Sequence, residues 1–279
     1  MSTAAVLVVT NRPDFIPWWT HQIRKQTRRP DEVVVVTNAL DPSKYVDGSI
    51  AELCGVRDTI VYWQPPEPWV SLGWIRQKAL DLCRSDVFMW MDDDDWYHPS
   101  RVELSCAPIE SGRYDAAVFP LTHYYYLNDR SLRHMRTDIM MHLPAVAWRR
   151  ASVRKARFFH ISSAEDCHWI HRIVHCHWAP PLIPASRIYW VNDYAYPNIG
   201  AMIVVHGGNT WQDLNRVAHD EATKTVLSPY PPSGVSRQEW RHTVEFLTSM
   251  VPSPQRKRVP FKPSTREEWD LAHQSGFVD

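Results

Sequence analysis

Four consecutive aspartates, Asp92, Asp93, Asp94 and Asp95, follow directly on the apolar run Val87-Phe88-Met89-Trp90-Met91. Carboxylates crowded so closely repel one another, and the arrangement is unfavourable unless a positive charge settles among them. A divalent cation meets that need. Hard oxygens suit Mg2+ or Mn2+, with water and phosphate oxygens completing the shell. In an extended turn side chains alternate, so Asp92 and Asp94 are expected to face one way and Asp93 and Asp95 the other. The purely structural alternative is a solvated acidic turn in which Asp95 caps a helix starting near Pro99.

An acidic turn can do chemistry only if rigid elements hold it. Ala5 to Val9 and Val33 to Val36 are continuous apolar runs of the kind buried on both faces of a sheet. Between them Phe15, Trp18, Trp19, Ile23 and Gln26 recur at helical spacing, which predicts a strand, helix, strand crossover and a parallel sheet. A third strand is expected at 59–63. A helix from Ser71 then places Leu72, Ile75, Ala79 and Leu82 on one face, and the strand at 87–91 leads into the aspartates. In open sheets of this type ligands bind at strand carboxyl ends. Beyond a helix from Pro99 to about Ile109 the pattern turns mixed, with strands expected at 116–121, 124–127, 145–148, 188–194 and 201–205. A helix is expected at 164–175, opened by Glu165 and Asp166. Residues 1–110 thus read as a ligand-binding α/β half, 111–227 as a second half of the same domain, and 228–279 as a Pro-rich basic extension.

Composition narrows the partners. Across 279 residues Lys plus Arg and Asp plus Glu are equal at 31 each, so no global field favours nucleic acid or an anionic membrane. No stretch reaches the about 18 apolar residues of a membrane span, so no transmembrane anchor is expected. Five cysteines without a CxxC pair read as reduced thiols, which fits a cytoplasmic protein. The 14 Trp suit either a core or a cleft for flat and sugar-like ligands.

Several segments in order resemble family 2 glycosyltransferases of the GT-A fold: Thr10-Asn11-Arg12-Pro13, Gln26-Thr27 with Pro30 to Val36, Arg76, and Met91 to Trp96 with Pro99. The match is strong over 1–105 and continues more weakly through Ala164-Glu165-Asp166 to His206. The resemblance implies a Rossmann-like, mostly parallel central sheet flanked by helices, with a mixed acceptor-side half. It implies an inverting, metal-dependent transfer from a nucleotide-diphosphate sugar, with a UDP-sugar the expected donor.

On the same ground Asp92 and Asp93 bind the nucleotide sugar, and Asp94, Asp95 and His206 hold Mn2+ or Mg2+. Thr10, Asn11 and Arg12 line the nucleotide pocket, while Arg76 and Lys78 meet the diphosphate. Family members commonly have Asp-Asp-Gly-Ser after the second strand; this chain has Thr37-Asn38-Ala39-Leu40-Asp41, which makes Asn38 and Asp41 the candidates to read the base. Asp166 is the expected general base, with Glu165 the competing choice.

The segment with His160, Cys167, His168, His171, His175, Cys176 and His177 also admits a zinc reading, since Cys167 with His171 and His171 with His175 have i, i+4 spacing, although no familiar signature fits. The basic stretch from Arg256 to Arg266 makes a hydroxymethylated base in DNA a candidate acceptor. Two other classes would use the same aspartates: a nucleotidyltransferase or nucleotide-sugar hydrolase, and a sugar-nucleotide-binding module without turnover.

Overall fold

The computed structural model describes residues 2–119, 121–126, 131–136, 143–162, 165–174, 180–191 and 201–205. β1 (Ala4–Thr10) is buried along its whole length, as its unbroken apolar run requires. α1 (Ile16–Arg24) follows and buries Trp18, Trp19 and Ile23, and β2 (Glu32–Thr37) is again fully buried. α2 (Asp47–Cys54) was not legible in the sequence because it buries little beyond Ile50 and Cys54; it stops at Gly55, whose φ of 67° is left-handed. β3 (Asp58–Trp63) is a half-exposed edge strand. α3 (Leu72–Leu82) starts at Ser71, whose hydroxyl accepts from the Trp74 N–H at 3.2 Å, and leads to β4 (Val87–Trp90).

The acidic run passes into a two-residue strand, β5 (Trp96–Tyr97), and then α4 (Arg101–Glu110). The helix begins after Ser100, so Asp95 does not cap it. β6 (Ala116–Val118), β7 (Leu121–Tyr126), β8 (Ser131–Arg136) and β9 (Val146–Arg149) follow, then α5 (Arg150–Val153), α6 (Glu165–Val174), β10 (Ile188–Trp190) and β11 (Ala201–Val205). The expected single strand at 116–121 is cut short because the chain leaves one sheet at Val118 and enters another at Leu121. β5 and β8 had no apolar pattern to reveal them.

The large sheet has the order β10-β6-β9-β4-β1-β2-β3, parallel except where β9 lies antiparallel between β4 and β6. A second sheet, β5-β11-β7-β8, carries the mixed character expected of the later chain. From β1 the chain builds outward through β2 and β3, then returns to place β4 on the other side of β1. The crevice outside the carboxyl ends of β1 and β4 is therefore a topological switch point, where open α/β sheets bind ligands.

Each face of the large sheet carries its own apolar cluster. Ala4, Val6 and Val8 of β1 pack with the Trp18 and Trp19 side of α1, while Ala5, Leu7 and Val9 pack on the side of α3 and α6. On that second face Trp169 of α6 stacks on Phe158 at 4.8 Å and meets Trp148 edge-on at 5.3 Å. Trp169 is thus a core residue that seats α6 against the sheet. No helix among the described residues is long and apolar enough to cross a membrane.

Candidate active site

Register brings the site together. Leu7 of β1 pairs with Trp90 of β4, so Thr10 and Asp93 stand equally far beyond a matched pair. The Thr10 hydroxyl donates to the Asp93 carboxylate at 2.5 Å. With its one proton so used, Thr10 accepts from the Tyr45 hydroxyl at 3.2 Å and from the Arg12 N–H at 3.1 Å. Tyr45 is buried, and burial pushes its phenol up to about 12. Nothing in the spacing of the sequence pointed to it.

Past Asp92 the chain turns rather than extends, closed by an Asp95 N–H to Asp92 carbonyl bond of 3.4 Å. The expected alternation of side chains is lost for that reason. Asp93 and Asp94 instead converge on one guanidinium: Arg12 Nε reaches Asp93 at 3.1 Å, Nη2 binds its other oxygen, and Nη1 reaches Asp94 at 2.9 Å. Burial opposes the Arg12 charge, but Asp94 and Asp93 outweigh it and hold the group firmly protonated. Burial also pushes the Asp93 carboxyl up to about 6, against the pull of Arg12.

Two buried glutamines, Gln22 in α1 and Gln26 just beyond its end, hold the turn. Gln22 donates to the Asp95 carbonyl at 2.8 Å and accepts from the Tyr97 N–H at 2.6 Å. Gln26 donates to the His98 carbonyl at 3.0 Å and accepts from the Val102 N–H at 3.0 Å. Each amide satisfies one backbone donor and one acceptor that would otherwise be buried unpaired. The Trp18 indole adds a second bond to the Asp95 carbonyl, at 3.0 Å.

Arg76 of α3 links the two halves of the chain. Its two terminal nitrogens meet Asp92 at 3.2 and 3.4 Å, and its Nε meets Glu165 at 3.0 Å. The guanidinium also lies over Trp90, 5.3 Å from the ring centre. Burial works against this charge as well, and Asp92, Glu165 and Asp166 overcome it. Glu165 is buried under Arg76, whereas Asp166 is half exposed and accepts from the Cys167 N–H at 2.8 Å. Burial first, then Asp166, push the Glu165 carboxyl up to about 7 despite Arg76. Asp92 is raised too, by burial against the pull of Arg76.

Other expected residues fall elsewhere. Lys78, well round the helix from Arg76, lies over the Tyr62 ring at 4.3 Å. Asp41 is exposed and caps a short turn by accepting from the Ser43 N–H at 2.9 Å; hydrogen bonding from the Ser43 side chain first, and then from this N–H, holds its carboxyl below the usual range. Asn38 is half-buried at the end of β2, and Asn11 is exposed between Thr10 and Arg12. His206 and the basic stretch 256–266 lie outside the described residues, as do His175 and Cys176. Among the described residues no group of three or more His, Cys, Asp or Glu side chains could hold a metal, so the zinc reading of Cys167, His168 and His171 gains no support. Asp93 and Asp94 nevertheless share one cation, and two carboxylates are a sufficient protein share for Mg2+-type sites that substrate phosphates complete.

A mostly parallel sheet with a carboxylate-rich crevice at its switch point defines a ligand-binding α/β class. The Glycosyl transferase family 2 profile matches residues 4–178, more than half of the chain. The chain belongs to glycosyl transferase family 2 and carries a glycosyltransferase domain. Among solved structures, S. aureus TarS 1–349 in complex with UDP-GlcNAc is 16% identical with a TM-score of 0.56, over 80% of this chain and 62% of that one. The same TarS fragment with UDP is 17% identical with a TM-score of 0.54, over 73% and 61%. The alignments thus span under two thirds of those chains' length, and at these identities the likeness is one of fold, the GT-A type. Among curated protein sequences none matches the chain.

Proposed function

We propose that the protein transfers a sugar, with inversion, from a nucleotide-diphosphate sugar to an acceptor hydroxyl. One observation carries this: Arg76 binds Asp92 of the acidic turn and Glu165 of α6 at the same time. A single guanidinium therefore ties the donor crevice to the pair of acids that opens the second-half helix. TarS fragments with the same fold are complexed with UDP and UDP-GlcNAc, which supports a uridine donor.

In this reading Thr10, Asn11 and Tyr45 flank the nucleoside at the end of β1, with Asn38 and Asp41 nearest the base. Arg76, fixed by Asp92 and Trp90, presents its charge to the diphosphate. Asp93 and Asp94, with Asp95 and His206 as further candidates, would hold Mn2+ or Mg2+, which when bound neutralises the diphosphate as it leaves. Asp166 is the general base: it is the half-exposed acid of the pair and can take the acceptor proton, while Glu165 is spent on Arg76. Glu165 positions the arginine and, through the start of α6, its neighbour Asp166.

Calorimetry with a panel of nucleoside diphosphates, with and without Mn2+, on wild type and Asp94→Ala tests the donor site. Metal-dependent binding of one nucleotide, lost in the variant, supports it; no binding by the folded protein removes it. The proposed DNA acceptor rests on the basic stretch 256–266 alone. Salt-sensitive binding of duplex DNA supports that acceptor, and failure to bind at low ionic strength removes it.

A further inference from the structure

We infer that Arg12 is a resident counter-cation of the acidic turn, which the diphosphate of the donor must draw away before Asp93 and Asp94 can take a divalent cation. The inference rests on the donor-site reading above. Its basis is the way one guanidinium satisfies two acids: three of its nitrogens engage Asp93 and Asp94.

Two adjacent carboxylates beside a buried turn require a positive charge to remain ionised together. Arg12 supplies it, and in doing so occupies the oxygens a metal would use. The two arginines of the site differ in how they are held. The Arg76 side chain is 7% exposed and locked between Asp92, Glu165 and Trp90, whereas that of Arg12 is 27% exposed. Arg12 can therefore be met from solvent by an incoming anion. A diphosphate offers its guanidinium the same forked, charge-assisted bonding that the carboxylates give. The Phe15 ring, with its centre 4.9 Å from Arg12 Cζ, supports the guanidinium beside the two aspartates.

The exchange makes metal and donor binding reciprocal. A donor that draws Arg12 off the acids raises their affinity for the cation, and by linkage the cation raises the affinity for the donor by the same factor. Metal alone must compete with Arg12, so the empty enzyme is guarded against binding Mn2+ or Mg2+ unproductively.

The test is titration of Mn2+ alone, by calorimetry and by loss of the free-ion paramagnetic resonance signal, into wild type, Arg12→Gln and Arg12→Lys, each first checked as folded by circular dichroism. Arg12→Gln is expected to bind Mn2+ alone about tenfold or more tightly than wild type, within the usual range of coupling between sites. Arg12→Lys, which keeps a charge but not the fork, should fall between. Adding Asp94→Asn to either variant should abolish the gain. UDP should then raise Mn2+ affinity less in Arg12→Gln than in wild type. If neither folded variant binds Mn2+ alone more tightly than wild type, the inference is overturned; should Arg12→Gln not fold, Arg12→Lys decides. A wild type that binds no nucleoside diphosphate at all would instead remove the donor-site reading, and the Mn2+-alone comparison would still judge Arg12.

Discussion

Gly73 and Phe159 meet backbone to backbone: a Cβ on Gly73 would lie 1.8 Å from the Phe159 carbonyl oxygen. The Gly73 N–H also donates to the Ile161 carbonyl at 2.9 Å, and the Leu72 N–H to the Ser162 hydroxyl at 3.3 Å. The first turn of α3, the helix of Arg76, is thereby fastened to the segment that leads into Glu165 and Asp166. The two halves of the chain are held in register by this contact as well as by the Arg76 ion pairs.

Gly73→Ala tests the fastening with a clear sign. Alanine is normally favoured over glycine in a helix by about 1 kcal/mol, so a neutral environment would give a more stable protein. The overlap with Phe159 predicts the opposite, a loss of about 1–3 kcal/mol as the backbone shifts. Urea unfolding reads the stability. A parallel fall in kcat is expected, because the displaced segment leads into Glu165 and Asp166.

Asp166→Asn should lower kcat by about 10²- to 10⁴-fold, the usual contribution of a general base, while leaving donor affinity near wild type. Asn keeps the size and can still accept the Cys167 N–H bond, so folding should survive. Product formation by single turnover, alongside nucleotide binding, separates the two effects. A wild-type rate would remove Asp166 from the base role, and a loss of donor binding that accounts for the whole fall in activity would move it to the donor pocket.

Glu165 gives the fold a pH dependence. Its carboxyl stands near 7 in the folded chain against an ordinary 4.5, so the native state binds a proton more tightly than the unfolded chain does. That contribution is fully present below the ordinary carboxylate range and is lost as the pH rises through about 7. Asp93, raised to about 6, acts in the same direction. The melting temperature of the metal-free protein should therefore fall between pH 5 and pH 8, and Glu165→Gln should flatten much of that slope. A wild-type melting temperature that rises over this interval would show that Arg76 and Arg12 hold these acids ionised throughout.

The local sequence was enough for features that depend on neighbours in the chain. Unbroken apolar runs require strands buried on both faces, which is how β1, β2 and β4 were legible, and an acidic run directly after such a strand must emerge at the sheet's carboxyl edge. Arg76 and the Glu165-Asp166 pair were found through motif order. Weakly buried α2 and the short β5 left no periodic trace.

Only the tertiary structure decided which charge answers which. Asp93 and Asp94 share Arg12, Asp92 and Glu165 share Arg76, and Lys78 rests on Tyr62, pairings that join residues up to 89 positions apart. Gln22, Gln26 and Tyr45 entered the site in the same way, as buried groups obliged to find partners across the fold. A charge or amide placed in a low-dielectric interior takes the partner that packing brings within about 3 Å, and the linear chain contains the candidates without their distances.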